Sequence, residues 1–200
     1  MHLLMKNYFH DYFLRLSRTG AGLVFASVTC RYWGFTMYSL VGPEEDIVQI
    51  TFALEKHERL QKQLKQLNKN LQIIKLQQQD FQYNTMFEDY FTGKRSMFSF
   101  SSESPLVAAG TDFQKRVWHH IRAIPYGRDI TYQRLAELAG SPKGSRAVGM
   151  ACGANPLALI IPCHRVVAVN GLGGFAGGVN IKKDLLALEQ SGKYSGMKRV

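Results

Sequence analysis

Between Thr111 and Pro156 the chain is punctuated so closely that only short helices joined by tight turns fit it. Thr111-Asp112-Phe113-Gln114 reads as a capping box, in which the Thr hydroxyl accepts from a free first-turn amide and the Gln114 side chain reaches back to the cap. Phe113, Val117, Trp118 and Ile121 recur on one helical face, which stops before Pro125-Tyr126-Gly127. Thr131 caps a second helix with Leu135 and Leu138, closed by Gly140-Ser141-Pro142. A third begins near Ser145, includes Arg146, Val148, Met150 and Ala151, and ends by Gly153-Ala154-Asn155-Pro156. Helix, short turn, helix is what helix-turn-helix proteins present to DNA.

Charge placement points the same way. The net charge is +10, but up to Gly110 there are 12 Lys/Arg against 10 Asp/Glu, whereas from Thr111 onward there are 13 against 5. A basic surface confined to one segment attracts a polyanion, so nucleic acid becomes the leading partner, although basicity alone suits anionic lipid equally well. A hydrophobic content of 46% with 20% charged residues excludes a disordered chain, and 200 residues suffice for one domain or two small ones. The segment Met1–Asp11 lacks a secretory signal pattern, and no run approaches the roughly 20 apolar residues of a membrane span. Cys30, Cys152 and Cys163 make no disulfide framework and fit a reducing compartment. The expectation is a soluble intracellular protein with no membrane partner.

The first half predicts strands at Tyr12–Leu16, Leu23–Val28 and Trp33–Tyr38, then a turn at Val41-Gly42-Pro43-Glu44. A helical pattern follows from Ile47 to about Ile74, with Leu60, Leu64, Leu67, Leu71 and Ile74 on one face. It is too short for a coiled coil and suits a helix covering a small sheet, with Leu71–Leu76 as an alternative strand. Phe87–Phe91 reads as a short helix packed through its aromatics, and Ser96–Gly110 as a linker. The resulting division is an αβ domain over 1–100, a linker over 101–109 and a second domain over 110–200.

Pro162-Cys163-His164-Arg165 follows the apolar run Leu157–Ile161, which reads as a buried strand. A thiolate is the attacking form of cysteine, and a neighbouring imidazole and surrounding positive charge both raise its population. In an extended strand adjacent side chains point apart, so His164 reaches Cys163 only through a turn or a bridging water. Glu189, on a final helix over Asn180–Glu189, is a candidate to orient the ring. A buried, inert cysteine is the competing reading, because cysteine is often buried. Cys30 and Cys152 read as fillers of apolar space and His119-His120 as a surface pair; none of these shows structural-zinc spacing, so no metal is expected. The glycines of Leu172–Gly178 lack the pattern of a phosphate-binding loop.

Taken in order, Gly110–Trp118, Ile124-Pro125-Tyr126-Gly127, Thr131–Ala136, Arg146-Ala147-Val148-Gly149, Gly153–Pro156, Ile161–Val166, Gly173–Gly178 and Lys182–Glu189 resemble the O6-alkylguanine-DNA alkyltransferases, the methylated-DNA–protein-cysteine methyltransferases. Tyr90–Arg95 is the clearest match in the first half. The resemblance implies an α/β class: a small N-terminal ribonuclease-H-like αβ domain plus a C-terminal helical winged-helix-like DNA-binding domain. It implies that Cys163 accepts an alkyl group irreversibly from O6-alkylguanine in double-stranded DNA, once per molecule, with no cofactor. His164 would be a base acting through water, Glu189 its support, and Asn155 the organiser of the active-site turn. Tyr132 would press on the backbone, rotate the nucleotide and relieve charge on the leaving purine, while Arg146 would fill the vacated stack from the minor groove. Ala147 and Gly153 would also meet DNA, and Met150, Val166, Phe175 and Ala176 would line the base pocket. Phe175 departs from a frequent tyrosine and cannot donate a hydroxyl hydrogen bond. The implied state is a monomer, in the cytoplasm or with the nucleoid in a prokaryote and in the nucleus in a eukaryote. A damage binder without transfer and a Cys-His acyl-transfer hydrolase are the alternatives.

Overall fold

The computed structural model describes residues 23–43, 46–98 and 104–191, so the strand expected at Tyr12–Leu16 and the polar tail after Ser191 lie outside the described residues. β1 (Val24–Tyr32) and β2 (Phe35–Val41) form a hairpin whose two-residue turn holds Trp33 at φ 43° and Gly34 at φ 85°. Two successive positive φ angles give the turn the twist that antiparallel strands need, which suits Gly34 and strains Trp33. β3 (Ile47–Thr51) adds to β2 antiparallel, and β4 (Gln72–Leu76) adds to β1 parallel, giving the order β3-β2-β1-β4.

The crossover to β4 is α1 (Leu54–Leu67), which lays Leu60 and Leu64 over Phe25, Leu40 and Val48. The helix expected from Ile47 to about Ile74 is corrected at its start, which is a strand, while its far end follows the alternative reading of Leu71–Leu76 as a strand. Ile47–Thr51 is buried at every position, so both sheet faces take apolar side chains and the alternation that marks a strand is lost. On the opposite sheet face Val28, Cys30, Tyr32 and Met37 join α2 (Asn84–Phe91), where Phe91 stacks on Tyr32 and on Phe35 at 5.0 Å. Within the expected linker, Ser104 caps the short helix α3 (Pro105–Ala108) and donates to Val48 O at 2.7 Å, tying this stretch to β3.

α4 (Asp112–Arg122) starts on the capping box, with Gln114 N donating to Thr111 Oγ1 and Thr111 N to Gln114 Oε1. α5 (Tyr132–Leu138) is capped by Thr131, and α6 (Ser145–Ala154) follows. Val117, Trp118, Ile121, Leu135, Ala136, Val148 and Ala151 form their common core, and Trp118 Nε1 donates to Ala151 O at 2.9 Å. β5 (Ile130–Thr131) pairs in parallel with β6 (Val166–Val167), and α7 (Val179–Ser191) closes the domain.

The strand expected over Leu157–Ile161 is also corrected. Asn155 takes up the local backbone, accepting from Leu157 N at 2.9 Å and donating to Ile161 O at 2.7 Å, while Ile161 N closes back on Leu157 O at 2.8 Å. The run curls into buried turns instead of extending, and it docks on β3 through Ile50 N to Pro156 O (2.8 Å) and Ala158 N to Ile50 O (3.0 Å). The edge of the N-terminal sheet thus touches the segment that leads to Cys163.

Candidate active site

A single 3₁₀ turn, Cys163–Arg165, replaces the strand end and sends its three side chains in different directions. The Cys163 sulfur faces a cavity of about 710 Å³ lined by Tyr132, Arg146, Met150, Phe175 and Ala176 among others, and the residue is 8% exposed, so the thiol is covered yet reachable. Asn155 Nδ2 donates to Cys163 Sγ at 3.2 Å, using the same amide that holds Ile161 O. Burial pushes the thiol above its ordinary pKa, against which the Asn155 hydrogen bond and the charges of Lys56 and Lys182 pull it down.

His164 is fully buried. Its Nε2 lies 2.9 Å from Glu189 Oε1, and its buried Nδ1 has no hydrogen-bond partner among the described residues. Burial lowers the histidine pKa more than Glu189 raises it, so the ring is neutral at pH 7; with the proton on Nε2, Nδ1 is an acceptor. Glu189 is fully ionised. Burial pushes its carboxyl up, but hydrogen bonds from His164 and Arg165 outweigh this and leave its pKa at about 2.

Arg165, for which the sequence suggested no role, shares in that lowering behind His164. Its guanidinium reaches Glu189 Oε1 at 2.7 Å and Oε2 at 2.8 Å, and donates to Ile124 O at 2.6 Å. Tyr90 adds a 2.6 Å hydrogen bond to Glu189 Oε1, and Gly127 N donates to Oε2 at 3.1 Å. The Pro125-Tyr126-Gly127 turn therefore ends one helix and helps to seat the carboxylate. Lys182 is the other residue missed: it is fully buried, donates to Val166 O at 2.5 Å and lies 5.5 Å from the Tyr132 ring centroid. A signal was available, because Lys182 and Glu189 flank Leu185 and Leu186 on the apolar stripe of one helix.

The remaining expected residues divide in two. Arg146 and Met150 are exposed on α6, half-buried Tyr132 opens α5, and Phe175 and Ala176 form the opposite wall. Gly153 also lines the cavity, and Tyr132 donates to Gly174 O at 3.3 Å. Val166, expected in the pocket, is fully buried outside the lining, and Ala147 is half-buried beside Arg146, also outside it. Cys152 packs against the core, as expected of a filler of apolar space, and also lines the same cavity as Cys163. Among the described residues no cluster of three or more His, Cys, Asp or Glu could hold a metal, and no helix is long and apolar enough to cross a membrane.

Residues 112–191 match the family model described as "6-O-methylguanine DNA methyltransferase, DNA binding domain". The chain is 49% identical over 105 residues to the methylated-DNA–protein-cysteine methyltransferase of Methanosarcina acetivorans, covering 52% of this chain and 65% of that protein. It is 47% identical over 103 residues to its counterpart in Mycobacterium bovis, covering 51% and 60%. The chain thus spans under two thirds of these curated relatives. Over the whole fold it is similar to the crystal structure of Mycobacterium tuberculosis OGT in complex with DNA, with a TM-score of 0.68, 31% identity, and coverage of 85% of this chain and 96% of that one. The O6-methylguanine-DNA methyltransferase of Pyrococcus kodakaraensis superposes with a TM-score of 0.61 at 26% identity, over 82% and 98%.

Fold and site together define a protein in which an αβ domain backs a helical DNA-binding domain that holds one buried cysteine against a cavity. The chain belongs to the methylated-DNA–protein-cysteine methyltransferase family.

Proposed function

We propose that this protein repairs O6-alkylguanine in double-stranded DNA by moving the alkyl group onto Cys163, once per molecule and without a cofactor. The observation that carries this reading is the Cys163 sulfur, bonded by Asn155 and facing a cavity that also meets Arg146, Tyr132 and Phe175. A base inside a duplex cannot reach that sulfur, so the damaged nucleotide must leave the stack; in this reading Arg146 fills the gap and Tyr132 presses on the backbone. Met150, Phe175 and Ala176 then face the extrahelical base.

Cys163 loses its proton to His164 Nδ1 through one water, and Glu189 compensates the charge on the ring. The thiolate attacks the alkyl carbon, a sulfur–carbon bond forms as the carbon–O6 bond breaks, and the proton ends on guanine N1. The products are normal guanine and a thioether. Nothing in the site hydrolyses a thioether, hence the single turnover. The proposed unit of action is a monomer, working in whichever compartment holds the DNA.

Incubation with a duplex containing O6-methylguanine should add the mass of one CH₂ to the peptide carrying Cys163 and to no other. Cys163→Ser should show no adduct. Binding of the lesion with unchanged protein mass would favour a damage binder instead, and repeated turnover of a separate thioester substrate to a carboxylic acid would favour a Cys-His hydrolase.

A further inference from the structure

Lys56 stands on the first turn of α1, in the N-terminal domain, yet its amine lies against the end of α6. Its Nζ donates to Asn155 O at 2.5 Å and to Gly153 O at 3.2 Å. These carbonyls leave a helix C-terminus, where the peptide dipoles concentrate negative charge and a cation is favoured. Asn155 is also the residue whose side chain donates to Cys163 Sγ. One residue thus joins the amine to the sulfur: Lys56 holds the Asn155 backbone and the Asn155 amide holds the thiol. The neighbouring β3 contacts at Pro156 and Ala158 fix the same turn from its other side.

We infer that Lys56 is a positioning residue for the acceptor, through which the N-terminal domain sets how readily Cys163 reacts. The inference rests on the reading of Cys163 as the nucleophile, not on the identity of the alkyl donor. Lys56 and the thiol also interact through charge. Burial and the repulsion of Arg59 lower the lysine pKa, a thiolate at Cys163 raises it, and Lys56 reciprocally favours that thiolate. The other groups coupled to the sulfur are Lys182, which also favours ionisation, and Cys152 and Tyr132, whose own ionisation it opposes; His164 faces Glu189.

The test uses the full chain and iodoacetamide, with alkylation of the Cys163 peptide followed by mass spectrometry across pH. Lys56→Met keeps the apolar stem and removes the charge and both hydrogen bonds. Its reactivity profile should move to higher pH, with the rate at neutral pH reduced about tenfold, the equivalent of one pKa unit. Lys56→Arg, which keeps a donor and a charge, should recover most of the rate. A Lys56→Met profile superimposed on that of the native chain would overturn the inference, as would an Arg variant no better than Met. A loss of rate at every pH with no shift would also overturn it, because that is what loosened packing alone produces. A native thiol that reacts with iodoacetamide but leaves O6-methylguanine intact would contradict the proposed function, and the Lys56 comparison would still be read.

Discussion

Glu189 accepts hydrogen bonds from His164, Arg165, Tyr90 and Gly127, with both oxygens engaged and its side chain sealed from solvent. A carboxylate surrounded in this way tolerates no donor in its place. Glu189→Gln would turn an amide N–H toward groups that themselves donate and would leave the Arg165 charge buried without a counterion. Removing one partner of such a pair costs roughly 3–5 kcal/mol, so the urea midpoint of the variant should fall accordingly; a change below about 1 kcal/mol would show that the network is not coupled. His164 and Glu189 were legible as candidates from their residue chemistry, and Asn155 only through the family resemblance. Arg165 lay inside the recognised motif without a role. Lys56 carried no signal, since its partners are about a hundred residues distant and nothing local distinguishes it from the other lysines of its helix.

The loop before α7 works through two glycines whose hydrogens touch other elements. A Cβ at Gly173, where φ is +70°, would meet Tyr132 Cε2 at 2.7 Å, and one at Gly177 would meet Phe52 Cβ at 2.4 Å. The loop is thus pressed between the start of α5 and the end of β3, with Phe175 6.0 Å from Phe52. Gly173→Ala should push Tyr132 out of place, cutting transfer from duplex DNA about tenfold or more while Cys163 keeps its iodoacetamide reactivity within about twofold. Equal losses in both assays would assign the loop to the thiol instead. At this scale the helices of 111–156 were legible because caps and breakers act within four or five residues. The start of the expected first-half helix was not, because a strand buried on both faces and a helix can show the same apolar run, whereas the strand near Leu71–Leu76 was already an open alternative. The Leu157–Ile161 turns depend on the Asn155 side chain, which composition of the run itself does not reveal.

Across the described residues, one hydrophobic cluster spans both domains and a second lies under α1, and the buried ionisable groups make the fold sensitive to acid. Burial depresses the His57 pKa from 6.5 to about 4, and burial also lowers that of His164. Glu189 lies at about 2, below its ordinary 4.5. Each group binds protons less tightly in the folded chain than in the unfolded one, so stability present above the ordinary pKa is lost as pH falls toward the folded value. The urea midpoint should decline first between about pH 6.5 and 4, through His57, and again between about pH 4.5 and 2, through Glu189; His57→Gln should flatten the first limb. A midpoint independent of pH over that range would contradict the assigned burial. The division into an αβ half and a basic helical half could be read from charge and punctuation, whereas the docking of β3 and Lys56 on the acceptor turn needed the folded chain. The central claim is that Cys163 accepts carbon from damaged DNA and keeps it. Intact-protein mass followed over time with excess O6-methylguanine duplex tests it most directly. The account predicts a plateau at one added CH₂ per chain, located on Cys163, with no repair of DNA added afterwards; continued repair beyond one lesion per chain, or an unmodified Cys163 after repair, would contradict it.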